Sequence, residues 1–193
     1  MKRIIGLTGG IATGKSTVSD YLSKKYKLLV LDADIYAKEA VKIGSAILED
    51  IFKHFGNNLR LQDGSLDRLA LGNIIFSDAE AKKWLEAKIH PYVRDRFSQE
   101  LARSNDDIIV LAIPLLFEAN LTNLVTEIWV VSCTQANQLK RLQQRNGFSL
   151  EQAQQRIKSQ LPLSEKEEQA DLILENNSSL EALYHQCDFS INL

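Results

Sequence analysis

Residues 9–16 read Gly9-Gly10-Ile11-Ala12-Thr13-Gly14-Lys15-Ser16, a complete GxxxxGK[ST] pattern. Glycines in such a stretch let the backbone curl until several amide N–H groups converge on one point. An anion at that point also meets the partial positive charge at the start of the helix that follows. A nucleotide phosphate satisfies both requirements. Lys15 can then reach the β and γ phosphates, and the Ser16 hydroxyl can ligate Mg²⁺. A glycine-rich turn with no ligand would not need a strand before it and a helix after it. Both are present: Arg3-Ile4-Ile5-Gly6-Leu7 reads as a strand, and a helix runs from about Lys15 through Val18 and Leu22. The stretch Gly10, Ile11, Ala12, Thr13, Gly14, Lys15, Ser16, Thr17 is therefore the expected nucleotide-binding segment.

Working outward, short apolar runs alternate with longer amphipathic ones, the pattern of a parallel sheet covered by helices. Leu28-Leu29-Val30-Leu31 reads as a second strand, and Ile108 to Ile113, apolar throughout, as a central strand buried on both faces. Ile128-Trp129-Val130-Val131 and Leu172-Ile173-Leu174 complete a set of five. The expected core covers about 1–42, 106–134 and 161–193. A helical insert covers about 43–105, in which Ile47, Ile51 and Phe55 fall at i, i+4 and i+8. Asn57-Asn58 and Asp63-Gly64 signal turns there, and Asp78 a helix N-cap. A charged helical pair over about 135–160 forms a lid.

The formal net charge of −2 gives no global positive field, so neither nucleic acid nor an anionic membrane surface is an expected partner. The two cysteines, Cys133 and Cys187, form no CxxC pair and read as reduced packing residues of a cytoplasmic protein. The apolar run after Lys2-Arg3 is broken by Gly6 and Gly9-Gly10, too early for an export signal. No stretch approaches the roughly 18 apolar residues of a membrane span.

Nucleotide binding alone leaves three classes open: a small-molecule kinase, a GTPase switch and a motor or assembly ATPase. The sequence carries neither the NKxD nor the DxxG motif of a GTPase. Pro114-Leu115-Leu116-Phe117-Glu118 follows the central strand, where a motor ATPase wants an acidic residue at once. The small-molecule kinase is favoured.

An ordered set of motifs then narrows the class. It comprises Leu7-Thr8-Gly9-Gly10-Ile11, Asp32-Ala33-Asp34, Ile89-His90-Pro91 and Ile113 to Glu118. Gln138-Leu139-Lys140-Arg141 with Arg145, Arg156-Ile157 with Gln160, and Ala170-Asp171 with Asn176 follow. In this order, over nearly the whole chain, they resemble the dephospho-coenzyme A kinase family. Two positions depart from the family: Ala12 stands where many members have glycine, and Thr13 where serine is frequent.

The resemblance implies a three-layer α/β P-loop kinase with a five-stranded parallel sheet, a helical substrate-binding insert and a helical lid. It implies ATP and dephospho-coenzyme A as substrates and Mg²⁺ as cofactor, with Ser16 as metal ligand. Asp32 and Asp34 lie two residues apart and share a face if the strand continues; the family selects Asp34 as the base. On local sequence, Asp34 can equally cap a helix beginning near Ile35. Arg141 and Arg145 lie four apart on one helical face, either solvated or, as the family implies, closing with the lid over the phosphoryl group. Lys15, Asp34 and Arg141 are the implied catalytic set, and Arg145 and Asn176 join the ATP site. Thr8, Asp32, Asp34, His90, Pro114, Leu115 and Leu116 are implied on the acceptor side, although a lone histidine such as His90 is more often a packing residue and Leu115 to Phe117 can equally be core.

Overall fold

The computed structural model describes residues 2–192; Met1 and Leu193 lie outside them. In chain order the elements are β1 (Arg3–Gly9), α1 (Lys15–Tyr26), β2 (Leu29–Asp32), α2 (Ala33–Ala40), α3 (Ala46–Phe55), α4 (Arg68–Ser77), α5 (Ala79–Arg103), β3 (Ile108–Ala112) and β4 (Glu127–Ser132). There follow α6 (Gln135–Asn146), α7 (Leu150–Lys158), α8 (Leu163–Glu167), β5 (Leu172–Glu175) and α9 (Leu180–Ile191). All five strands read from the sequence are present, each within two residues of its expected bounds. They pair in parallel in the order β2-β3-β1-β4-β5.

The chain divides into two compact units. The first, residues 1–32 and 104–193, holds the sheet. Ile5 and Leu7 of β1, Trp129 and Val131 of β4 and Leu174 of β5 point to one face, as the two-residue repeat of a strand requires. There they meet Val18 and Leu22 of α1 and Leu183, Cys187 and Ile191 of α9. Full burial of each such aliphatic side chain contributes roughly 1.5–3 kcal/mol. On the other face Gly6 lies so close to Val125 and Leu116 that a Cβ there would sit 3.0 Å from Val125 Cγ1 and 3.2 Å from Leu116 Cδ2. With α8 packed on β4, the unit has three layers.

The sheet unit also carries the helical lid. Thr134 caps α6 by accepting the Asn137 N–H, and Gly147 at φ 67° ends it. Ser149 and Gln152 form a reciprocal capping box at the start of α7.

The second unit is the continuous segment 33–103. Its core gathers Leu48, Ile51 and Phe52 of α3, Leu71 of α4 and Leu85 of α5, with Ile47 and Phe55 packed at the edge. The predicted apolar stripe is thus one side of a wider buried face. Asp78 caps α5 as expected, its Oδ1 accepting the amides of Glu80 (2.9 Å) and Ala81 (3.0 Å). The helix continues through Pro91 to Arg103. Within this unit α2 lies along α5, with Tyr36 edge-on to Phe97 and Glu39 3.5 Å from Arg96.

Candidate active site

The phosphate loop leaves β1 at Gly9 and enters α1 at Lys15. Gly9 has φ 154°, and a Cβ on it would sit 2.5 Å from the Val131 carbonyl oxygen. Gly14 has φ 111°, and a Cβ there would come within 2.2 Å of Asn176 Nδ2. Both positions therefore demand glycine for lack of space as well as for backbone conformation. No side chain caps the first turn of α1, since Gly14 occupies the N-cap. The amides at that end remain for an anion.

What holds the loop open is a set of side chains from elsewhere in the sheet unit. Gln138 donates its amide to the Ile11 carbonyl at 2.8 Å. Arg141 donates Nη1 to the carbonyls of Ala12 (3.2 Å) and Thr13 (3.1 Å), and Nη2 to that of Asn176 (2.9 Å). Asn176 donates its own side-chain amide to Thr13 at 2.7 Å. In a trans peptide the C=O of one residue and the N–H of the next point to opposite sides. Fixing the carbonyls of Ile11, Ala12 and Thr13 outward therefore turns the N–H groups of Ala12 and Gly14 the other way. Thr13 spends its N–H on Gly10 O at 3.3 Å, and its buried hydroxyl donates to the same oxygen at 2.9 Å. Gln160 Oε1 accepts the Ile11 N–H at 2.8 Å, so that amide of the expected ATP segment is engaged by protein.

Ala12 adopts φ 60°, the left-handed region. The position where the family resemblance leads one to expect glycine is therefore one where an alanine methyl group is strained. Lys15 is half-buried and Ser16 exposed, and among the described residues neither side chain has a hydrogen-bond or ion-pair partner.

The remaining predicted residues fall in several places. Asp32 ends β2 in register with Ala112. The strand does not continue beyond it: α2 begins at Ala33, so Asp32 and Asp34 do not share a strand face. Nor does Asp34 precede its helix as a cap; it lies in the first turn, where its charge suits the helix dipole. Thr8 is fully buried and donates its hydroxyl to the Pro114 carbonyl at 3.2 Å. Leu116 is fully buried against Gly6, so the core reading holds for that residue, while Pro114 and Leu115 are half-buried. His90 is half-buried in mid-α5, within the second unit. Arg145, unlike Arg141, is exposed on the last turn of α6 and, among the described residues, donates only to the neighbouring Asn146 side chain at 2.9 Å.

Gln138 and Gln160 stand in the ordered motif with no expected role, and Lys166 stands outside it. That lysine is fully buried and pairs with Glu118 at 2.8 Å. In the charged run Ser164-Glu165-Lys166-Glu167-Glu168 nothing marks it as interior. Beside this framework lies a cavity of about 500 Å³ whose wall includes Cys133, Gln138 and Gln160. Burial pushes the Cys133 thiol above its ordinary pKa, with the Arg141 charge opposing. Among the described residues no three His, Cys, Asp or Glu side chains cluster as a metal site, and no helix is long and apolar enough to cross a membrane.

Comparison with known proteins places this geometry. A family model described as dephospho-CoA kinase matches residues 3–182. A dephospho-CoA kinase of Trichormus variabilis is 56% identical over 191 residues, which cover 99% of this chain and 97% of that protein. A crystal structure from Thermus thermophilus, 35% identical, superposes with a TM-score of 0.85 over 99% of this chain and 97% of its own. The structure of a dephospho-CoA kinase from Campylobacter jejuni, 32% identical, gives a TM-score of 0.71 over 100% and 96%.

Proposed function

The chain belongs to the dephospho-CoA kinase family, and from that membership we propose that it transfers the γ-phosphoryl group of ATP to the ribose 3′-hydroxyl of dephospho-coenzyme A, giving coenzyme A and ADP. The observation that carries this reading is the family match over residues 3–182, joined to a phosphate loop whose carbonyls are held outward by Gln138, Arg141 and Asn176.

Phosphoryl transfer proceeds through a loose transition state, so catalysis is mostly positioning and neutralisation of charge. In this reading the amides at the start of α1 bind the phosphates, and Lys15 balances charge on the β and γ groups. Mg²⁺ accompanies ATP; such ions take one or two protein ligands beside phosphate oxygens and water, which fits the lone exposed hydroxyl of Ser16 at the helix start. When bound, the ion neutralises phosphate charge. Asp34 accepts the proton of the attacking hydroxyl. Arg141 contributes positive charge beside the loop as well as bracing it. Thr8, Asp32, His90, Pro114 and Leu115 belong to the acceptor side, and Arg145 and Asn176 to the nucleotide side.

The test is ADP release with ATP and Mg²⁺, comparing dephospho-coenzyme A with nucleoside monophosphates and small alcohols. The proposal requires release that depends on dephospho-coenzyme A, with coenzyme A as product. Lys15→Ala should lower kcat at least about 100-fold while the fold is retained, and Asp34→Asn about 10- to 100-fold. Turnover with a different acceptor only would refute the substrate, and an active Lys15→Ala enzyme would refute the loop's role.

A further inference from the structure

Among the described residues Lys166 is the only charged side chain that is fully buried, and no step of the proposed reaction uses it. It stands in α8, a helix of only five residues. Its Nζ donates to Glu118 Oε1 at 2.8 Å and to the Pro114 carbonyl at 3.3 Å. Each acceptor has a second donor. Pro114 O also takes the Thr8 hydroxyl at 3.2 Å, and Glu118 Oε1 also takes the Leu161 N–H at 3.1 Å. One residue before Leu161 stands Gln160, which holds the Ile11 amide. One residue after Lys166 stands Glu167, which accepts the hydroxyl of Ser132 at the end of β4.

One ammonium group thus joins three segments. They are the end of β1 that runs into the phosphate loop, the stretch leaving β3, and the return from the lid helix α7. Burying the Lys166 ammonium costs hydration that its pairing with the partly exposed Glu118 commonly does no more than offset, so such a pair is a poor way to gain stability, and apolar replacements often fold as well or better. What Lys166 does that an apolar residue could not is fix one carbonyl and one carboxylate, each with its second donor, in one frame.

We infer that Lys166 is a positioning residue for phosphoryl transfer, holding Thr8, Pro114 and Leu161 in a fixed arrangement around the phosphate loop through Glu118. It acts through these groups and touches no reacting atom. The inference rests on the proposed reaction for its activity readout.

The decisive variant is the double substitution Lys166→Met with Glu118→Gln. It removes both charges yet leaves an acceptor oxygen for the Leu161 amide. Its Tm is expected to stay within a few degrees of wild type, while kcat falls about 10- to 100-fold, the loss that misplacement by about 1 Å produces. The ATP dissociation constant should change less than about threefold, because Gln138, Arg141 and Asn176 still brace the loop. Glu118→Gln alone leaves the fully buried Lys166 ammonium without its counter-charge and should melt lower than the double variant. A kcat within about twofold of wild type overturns the inference, and so does a collapsed Tm in the double variant, which would make the pair a stabilising element. If the wild-type chain does not phosphorylate dephospho-coenzyme A, the reaction is wrong and the positioning claim is read from hydrogen exchange instead. Amides of residues 8–13 should then exchange faster in the double variant; unchanged exchange refutes it.

Discussion

The side-chain amide of Asn176 donates to the carbonyl of Thr13 at 2.7 Å, joining the residue after β5 to the middle of the phosphate loop. The same residue donates its backbone N–H to Ser132 O at 2.7 Å and offers its carbonyl to Arg141 at 2.9 Å. Asn176 is thus a three-way tie between the loop, the end of β4 and the lid helix α6.

Asn176→Ala removes one of these three bonds at a buried site. The expected cost is about 1–3 kcal/mol, which for a chain of this size lowers Tm by roughly 3–10 °C. ATP should bind more weakly as well, since one fixed carbonyl is released. Thermal melts with and without ATP measure both effects, and an unchanged Tm would contradict the buried tie.

Ala12 supplies a substitution in the opposite direction. An L-residue at φ 60° carries about 1–2 kcal/mol of strain, part of which glycine gives back through its freer unfolded chain, about 0.5–1 kcal/mol. Ala12→Gly should therefore raise Tm by roughly 1–4 °C, and Ala12→Val should lower it. A Tm that falls in the glycine variant would show that the methyl group makes contacts outweighing its strain.

Asp188 on α9 accepts from the hydroxyls of Tyr21 and Tyr26, each at 2.7 Å, and from Lys25 at 2.8 Å, tying α9 to α1. Led by the Lys25 hydrogen bond, these donors hold its carboxyl down at about 2. The folded pKa lies below the unfolded one, so the folded chain binds fewer protons in this window. Stability from Asp188 is complete above about pH 4 and is lost as the pH falls toward 2. Asp188→Asn should reduce Tm at pH 7 and flatten the acid limb of Tm against pH. Parallel acid limbs for the two proteins would refute this assignment.

Both thiols are buried, and burial pushes Cys187 up to about 11. A disulfide-exchange reagent at about pH 8 should find no reactive cysteine in the native chain and both in denaturant. The folded state retains the Cys187 proton after the unfolded state has lost it, so stability should decline as the pH rises from about 9 toward 11. Rapid native labelling of Cys133 would reveal opening of the cavity beside Gln138.

The strands were legible because a strand buried on both faces must be apolar throughout, as Ile108 to Ala112 is. The loop was legible because its glycines answer to geometry: Gly9 and Gly14 have neither the space nor the φ for another residue. The bracing was not. Gln138 and Asn176 reach the loop, and Lys166 reaches Pro114 and Glu118 beside it, across long stretches of chain, and polar residues with such partners look like any surface residue in a single sequence. The start of the second unit was also hidden. Periodicity placed the insert from about 43, whereas the compact unit begins at Ala33, because Tyr36 and Glu39 of α2 meet Phe97 and Arg96 of α5.

That pairing of α2 with α5 bears on how the chain folds. Residues 33–103 are continuous, whereas the sheet must bring Leu29 beside Ile109 and Arg3 beside Ile108. Joining such distant segments carries a loop-closure entropy that slows parallel-sheet formation. Once α2 and α5 lie side by side, however, the first and last helices of the intervening segment are already neighbours. The effective loop between β2 and β3 shrinks to a few residues at either end. The pairing of α2 with α5 thereby lowers the loop-closure cost of bringing β2 beside β3.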